Sequence, residues 1–239
     1  MFRKKNKIVI ATGGTGGHVF PALSLSESLK KKFDIEVFSD KRGLKFFKNK
    51  ENIKLIQSGT IFQKNLFKFL LNLNKIIFSI IHCYFYLKKN KPKIVLGMGG
   101  YSSFPVCLAS YLLKIPVIIY ENNLVLGRAN RVLLPIAKKI LVSTKDIFGI
   151  NQKYKDKVLV SGYFIRDEIL NLENTKNTIS NEELSVLIMG GSQSAKVFGE
   201  KIPEIIVECN KKNIKLKIYQ QCLNEQMEKI KKIYNENKI

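Results

Sequence analysis

Short aliphatic runs alternate along the chain with longer segments whose apolar residues recur every three or four positions. Residues 7–11, 35–39, 53–57, 94–97, 117–120, 140–143 and 158–160 read as strands. Their apolar character is continuous rather than alternating, which suits a parallel sheet covered on both faces. Between the first two, Ala22, Leu25, Leu29 and Phe33 fall on one face of a helix. Strand, helix and strand in repetition predict a doubly wound α/β domain.

The pattern lapses over residues 171–184, NLENTKNTISNEEL, which are polar and lack apolar periodicity. It then restarts with a strand in SVLIMGG, a helix over roughly 195–210, a strand in KLKIYQ and a final Lys/Glu-rich helix. The expected division is a first Rossmann-like domain over residues 1–165, a linker over 166–184 and a partial second domain over 185–239. Two strands make a poor sheet by themselves, so the second domain reads as incomplete.

The chain has 239 residues, enough to bury a substantial core. Its 41 Lys and Arg against 19 Asp and Glu give a formal net charge of +22. The excess is mostly Lys, spread from end to end. Codon bias explains such dispersion, and attraction to anions is the functional alternative. No zinc-finger, homeodomain or RNA-binding aromatic pattern is present, so nucleic acid is not an expected partner. Cys83, Cys107, Cys209 and Cys222 are far apart, none forms a C-x-x-C pair and histidine is scarce, so neither a zinc site nor a disulfide framework is expected. Reduced thiols in a cytoplasmic protein fit best. The basic N-terminus leads into a glycine turn after too short an apolar run for a signal peptide.

That turn, ATGGTGGHVFPA over residues 11–22, joins the first strand to the first helix. Glycines there permit positive φ and close approach of a ligand, and the helix N-terminus favours an anion such as phosphate. A plain tight turn is the bland alternative. The dinucleotide fingerprint is incomplete: Gly14 and Gly16 fit, Val19 stands at the third glycine, and Asp40 would be the ribose carboxylate. No Walker lysine follows. Two further glycine junctions, LGMGGYSS over 96–103 and MGGSQSA over 189–195, also lie between a strand and a helix. All three fall at carboxyl ends of strands, where open α/β sheets bind ligands.

GGTGGHVFPA, VLGMGGYSSFP, IPVIIYENN and GGSQSA, in this order and spacing, resemble the MurG family of peptidoglycan N-acetylglucosaminyltransferases over nearly the whole chain. The resemblance implies two Rossmann-like domains of the GT-B glycosyltransferase type, the second incomplete here. It implies a UDP-GlcNAc donor, an undecaprenyl-diphosphoryl-MurNAc-pentapeptide acceptor (lipid I), and inversion at the sugar carbon. Thr15, Gly16, Gly17 and His18 would lie along the cleft. Gly99, Gly100 and Tyr101 would form the acceptor-phosphate loop, and Asn123 would hold the donor sugar. Tyr120 and Asn122 replace the family's histidine and glutamine beside Glu121. GYFIR resembles G-N-P-[VI]-R and would make Arg166 a donor contact, with Tyr163 and Phe164 in place of Asn and Pro. Ser192 and Gln193 match donor-binding positions, and Ser194 replaces a glycine.

The leaving UDP needs stabilisation, which helix N-termini and Arg166 supply without a metal or other cofactor; no D-x-D motif is present. His18 and Glu121 are the candidate general bases. Each has an alternative, a structural or capping histidine and a loop-anchoring carboxylate. Cys107 and the aromatics of FPVCLASYLL read as packing. The family's ribose-binding glutamate is not found, and IYQQCLN departs from H-Q-[ST]-G. Residues 1–239 would thus carry half a donor pocket. The alternatives to transfer by this chain are another nucleotide-sugar transferase, an NAD enzyme of similar fold, or a non-catalytic lipid- or nucleotide-binding remnant.

Residues 66–87, LFKFLLNLNKIIFSIIHCYFYL, are very apolar and are followed by Lys88, Lys89, Lys91 and Lys93. Lys68, Asn72, Asn74 and Lys75 interrupt what would otherwise approach a membrane span. The expected element is a helix that packs on the sheet through Phe67, Leu70, Leu71, Asn74, Phe78 and Ile81. Phe69, Leu73, Ile76, Ile77, Ile80 and Tyr84 would then face an anionic bilayer surface. His82 reads as packing. The expected location is peripheral, on the cytoplasmic side of the cell inner membrane.

Overall fold

A computed structural model describes residues 5–48, 53–57, 59, 66–171, 184–191 and 194–239. It divides into two compact units, Met1–Leu172 and Glu173–Ile239.

In the first unit the elements run β1 (Lys7–Ala11), α1 (Gly16–Lys30), β2 (Asp34–Ser39), a 3-10 turn at Gly43–Phe46, β3 (Ile53–Leu55) and α2 (Leu66–Asn90). They continue with β4 (Ile94–Gly97), α3 (Ser103–Leu112), β5 (Val117–Glu121), α4 (Arg128–Leu133), β6 (Lys139–Val142), a 3-10 turn at Gln152–Lys157, β7 (Val158–Val160) and α5 (Asp167–Leu170). The strands form one parallel sheet in the order β3-β2-β1-β4-β5-β6-β7. The order reverses between β1 and β4, whose register pairs Ala11 with Gly97. The loops that follow these two strands therefore leave the same edge side by side.

Two apolar cores cover the two faces of the sheet. On one, α1 lays Val19, Ala22, Leu25 and Leu29 over Ile8, Ile10, Val37 and Leu96, with Phe33 packed alongside. On the other, α2, α3 and α4 cover Val9, Ala11, Phe38, Val95, Ile119 and Ile140. At about 25 cal/mol per Å² of apolar area, these buried faces supply most of the driving force for the layered fold.

Helix α2 turns the opposite way from the sequence expectation. Ile76 (5% exposed), Ser79, Cys83 and Leu87 are buried, and Ile80 and Tyr84 pack against the core. Phe78 (71% exposed) and Ile81 stand outward together with Ile77 and Phe85, and Asn74 is also exposed. Ile76 and Ile80 are thus core residues, Leu73 is half-buried, and Ile77 keeps its outward place. The side chains of Phe67, Phe69, Leu70 and Leu71 lie outside the described residues. The reason is steric. The helix is apolar nearly all round, so periodicity cannot choose its inner face. Small Ser79 and Cys83 let α2 approach the sheet and α3 closely, and Ser79 Oγ donates to the Gln57 carbonyl at 2.6 Å. The bulky Phe78 and Phe85 are left outside. Among the described residues no helix is long and apolar enough to cross a membrane.

In the second unit β8 (Leu184–Ile188) and β9 (Leu216–Gln220) form a two-stranded parallel sheet. They alternate with α6 (Ser194–Lys211) and α7 (Asn224–Glu236), and Ile188, Ile206 and Ile230 are buried.

Candidate active site

The first glycine loop is fastened from beneath. After β1, buried Thr12 donates its backbone N–H to the Phe38 carbonyl and its hydroxyl to the His18 carbonyl, both at 2.9 Å. Gly14 has φ +81, a conformation costly for other residues. Asp40 fixes the loop: its Oδ1 accepts from Gly14 N–H at 2.9 Å and Gly43 N–H at 2.8 Å, and its Oδ2 pairs with Arg42 at 3.1 Å. Asp40 is 3% exposed. It holds loop amides, which leaves the ribose-binding reading without support in the structure. Positive φ lies at Gly13 and Gly14, whereas Gly16 and Gly17 form the helical first turn of α1 with Thr15 as its cap.

The second loop is tied to the first. Met98 N–H donates to the Ala11 carbonyl at 2.8 Å. Gly99 and Gly100 have φ +85 and +76, and Ser103 Oγ donates to the Gly100 carbonyl at 2.9 Å. A Cβ on Gly99 would come within 2.8 Å of the His18 ring, and one on Gly100 within 3.0 Å of the Gly13 carbonyl oxygen. Both glycines exist to permit this approach.

The segment after β5 closes the site. Glu121, 1% exposed, accepts four hydrogen bonds. Asn123 N–H (3.1 Å) and Nδ2 (2.8 Å) go to Oε1, and Gly127 N–H (2.8 Å) and Asn130 Nδ2 (3.0 Å) go to Oε2. A carboxylate so engaged is an anchor, and of the two roles open to Glu121 in the sequence the bonding favours this one. Asn122 Nδ2 donates to the Gly17 carbonyl at 2.8 Å, joining this segment to the start of α1.

These parts enclose a cavity of about 150 Å³ lined by His18, Gly99, Gly100, Tyr101, Glu121, Asn123, Arg128 and Asn130. Burial holds the His18 pKa below its usual 6.5, with the Glu121 charge pulling the other way. His18 Nδ1 is buried, and the Met98 backbone also pulls the ring's pKa upward. Burial thus favours the neutral form of the ring.

A larger cavity of about 560 Å³ lies elsewhere, lined by Phe20, Leu23, Ile35, Phe46, Arg166 and Glu168 among others. Its lining mixes apolar side chains with charged ones, Glu27, Lys30, Asp34, Glu36 and Lys54 among them. Arg166 stands here, its guanidinium over the Phe20 ring at 4.6 Å and 3.8 Å from Glu168, so the structure does not bring it to His18. Ser192 and Gln193 lie outside the described residues.

Sequence reasoning missed Asp40 as a loop clamp, and it also missed Asn130 and Arg128. Asn130 left a signal: a short amide inside the apolar stretch ANRVLLP needs a buried partner. Nothing in the sequence separated Arg128 from Arg131.

Residues 8–142 match the family described as Glycosyltransferase family 28 N-terminal domain. A protein of Pelagibacter ubique is 37% identical across 98% of this chain and 65% of its own length. It is named UDP-N-acetylglucosamine--N-acetylmuramyl-(pentapeptide) pyrophosphoryl-undecaprenol N-acetylglucosamine transferase. A protein of Rickettsia canadensis with the same name is 34% identical across 95% of this chain and 64% of its own length. The chain thus spans a little under two thirds of each relative. The crystal structure of Acinetobacter baumannii MurG superposes with a TM-score of 0.70 at 27% identity, over 98% of this chain and 64% of that one. A UDP-GlcNAc 2-epimerase from Methanocaldococcus jannaschii superposes at 0.57 with 18% identity, over 97% of this chain and 68% of that one, a likeness of fold alone.

Proposed function

The chain belongs to glycosyltransferase family 28 through its N-terminal domain, and on that premise we propose that it transfers N-acetylglucosamine from UDP-GlcNAc to undecaprenyl-diphospho-MurNAc-pentapeptide. The observation that carries this reading is the meeting of two glycine loops around His18. Together they form a small pocket with backbone amides available to an anion and a base of lowered pKa at its wall.

In this reading the acceptor diphosphate lies against Gly99, Gly100 and Tyr101, and the amides of Thr15, Gly16 and Gly17 add the field of the α1 N-terminus. Neutral His18 accepts the proton of the acceptor hydroxyl as that oxygen bonds to the anomeric carbon. The bond from that carbon to the UDP oxygen breaks with inversion, and UDP leaves with the electron pair. The Glu121 charge favours the imidazolium as it forms, while its hydrogen bonds keep Asn123 in place for the sugar. Arg166, Ser192 and Gln193 are assigned to the donor, and no metal or cofactor is assigned.

The protein works, in this proposal, as a peripheral enzyme on the cytoplasmic side of the inner membrane. Outward Ile77, Phe78, Ile81 and Phe85 recur on one side of α2, and exposed Lys88, Lys89 and Lys91 follow. An apolar stripe beside cations suits an anionic bilayer surface.

The test is transfer of radiolabelled GlcNAc to lipid I by the protein purified from its own cells, so that the chain the cell makes is the one assayed. Labelled lipid II supports the reading. UDP-GlcNAc left unconsumed, with lipid I present and the protein folded, refutes it.

A further inference from the structure

Between two residues of the small pocket's wall, Asn123 and Gly127, the chain holds large apolar side chains in water. Leu124 (56% exposed) and Val125 follow Asn123 directly, and Phe148 (67% exposed) lies across from them. They are not on a loose loop. Leu126 N–H donates to the Phe148 carbonyl at 2.9 Å, Phe148 N–H donates to the Leu124 carbonyl at 2.7 Å, and Val125 and Phe148 form a parallel bridge. Leu126, next in the chain, is buried in the core beneath α2, α3 and α4. Glu121 fixes both ends of the segment through Asn123 and Gly127. Single exposed apolar residues are ordinary on a surface, but a rigidly bridged group beside a pocket needs an occupant.

The same segment supplies pocket wall on both sides of these residues, Asn123 before them and Gly127 and Arg128 after. A molecule with its anionic end among the glycine amides and Arg128 would bring an attached chain near this segment. Leu126 after Val125 and Ile147 before Phe148 pack in the core that α2, α3 and α4 cover, the side of the sheet that carries the outward stripe of α2. We propose that Leu124, Val125 and Phe148 seat the hydrocarbon nearest the diphosphate of a prenyl-linked ligand. The acceptor of the proposed reaction supplies its identity, so that part rests on the reading above, while the binding itself requires no sugar transfer.

The experiment is calorimetric titration of the chain with inorganic diphosphate and with farnesyl diphosphate below its micelle concentration. Farnesyl diphosphate is expected to bind at least about tenfold tighter. Combined Leu124→Ser, Val125→Ser and Phe148→Ser substitutions should remove that advantage and leave inorganic diphosphate binding unchanged. Equal affinity for the two ligands, an advantage that survives the substitutions, or no binding of either ligand overturns the proposal. Photo-crosslinking of the unsubstituted chain with a diazirine-bearing prenyl diphosphate gives an answer independent of how the variant folds. Label within 123–128 or at 148 supports the proposal, and label confined to other segments overturns it. The transfer assay above fails or succeeds without reference to either result, so the two readings fall separately.

Discussion

Tyr120 and Phe164 touch, with ring centroids 4.7 Å apart, and the Tyr120 hydroxyl donates to the Gly162 carbonyl at 3.2 Å. In the motifs the chain resembles, histidine and proline stand at these two positions, so two departures from one pattern meet in space. The segment is pinned again where Ser24 Oγ donates to the Ile165 carbonyl at 2.6 Å. Tertiary contact here does what a proline does by restricting its own φ. A double-mutant cycle with Tyr120→Leu and Phe164→Leu should give a coupling of about 0.5–1.5 kcal/mol in chemical denaturation. Tyr120→Phe alone should cost about 1 kcal/mol. Additive effects would show that the rings do not support one another.

The glycines of the site should separate by backbone geometry. Gly99→Ala must take φ near +85 and meet the His18 ring. The left-handed backbone alone costs about 1–2 kcal/mol, and transfer should fall by more than tenfold. Gly17 is helical, and a Cβ there meets only Thr15 Oγ1 at 3.7 Å. Gly17→Ala should therefore keep transfer and raise stability by up to about 1 kcal/mol. Loss of transfer in Gly17→Ala with Gly99→Ala unaffected would reverse the assignment.

Acid should reveal His18. Its folded pKa is lowered below 6.5 by burial, so the neutral base persists to lower pH than a free imidazole would. The acid limb of kcat/KM should lie below pH 6.5 and vanish with the residual activity of His18→Gln. Stability follows the same sign. The unfolded chain takes up the proton first, so the fold loses stability as pH drops from about 6.5 through the folded pKa, and above that window His18 adds no dependence. Denaturation curves of the two proteins from pH 5 to 8 should diverge only at the acidic end.

Thiol labelling should divide the cysteines by unit. Burial pushes Cys83 and Cys107 up to about 12, whereas Cys209 and Cys222 are partly exposed. Iodoacetamide at pH 8 should modify the latter two in the folded chain and reach the former only after denaturation, as read by peptide mass. Prompt modification of Cys83 would contradict the packing of α2.

The two sides of α2 should respond differently to serine. Ile77, Phe78, Ile81 and Phe85 changed together should weaken binding to anionic vesicles by more than about tenfold with little change in stability. Ile76→Ser should cost about 2–5 kcal/mol of stability. Vesicle binding that ignores both salt and the fourfold change would remove the interfacial reading.

The strands and the glycine junctions were legible because continuous apolar runs and clustered glycines leave few other readings. Ala22, Leu25, Leu29 and Phe33 were found by their helical spacing, although α1 also buries Ser24 and Ser26. The inner face of α2 was not found, because Phe78 and Ile76 are equally apolar and only packing against Ser79 and Cys83 decides between them. The anchoring roles of Asp40 and Asn130 were not legible for a different reason. Each acts on partners distant in the chain or hidden in a loop, and such partners have no spacing to read.

The pairing of Ala11 with Gly97 also bears on how the protein is born. Neither glycine loop is a pocket alone, and the strands that bring them together are far apart in the chain. Closing so long a loop costs entropy before any contact repays it. The pocket therefore has no local precursor during synthesis. It comes into being only after β4 has left the ribosome and found β1, and Glu121 sets its far wall later still. Ligand binding would then report that the long-range pairing is complete, and a chain stalled before that step would hold the loops without the site.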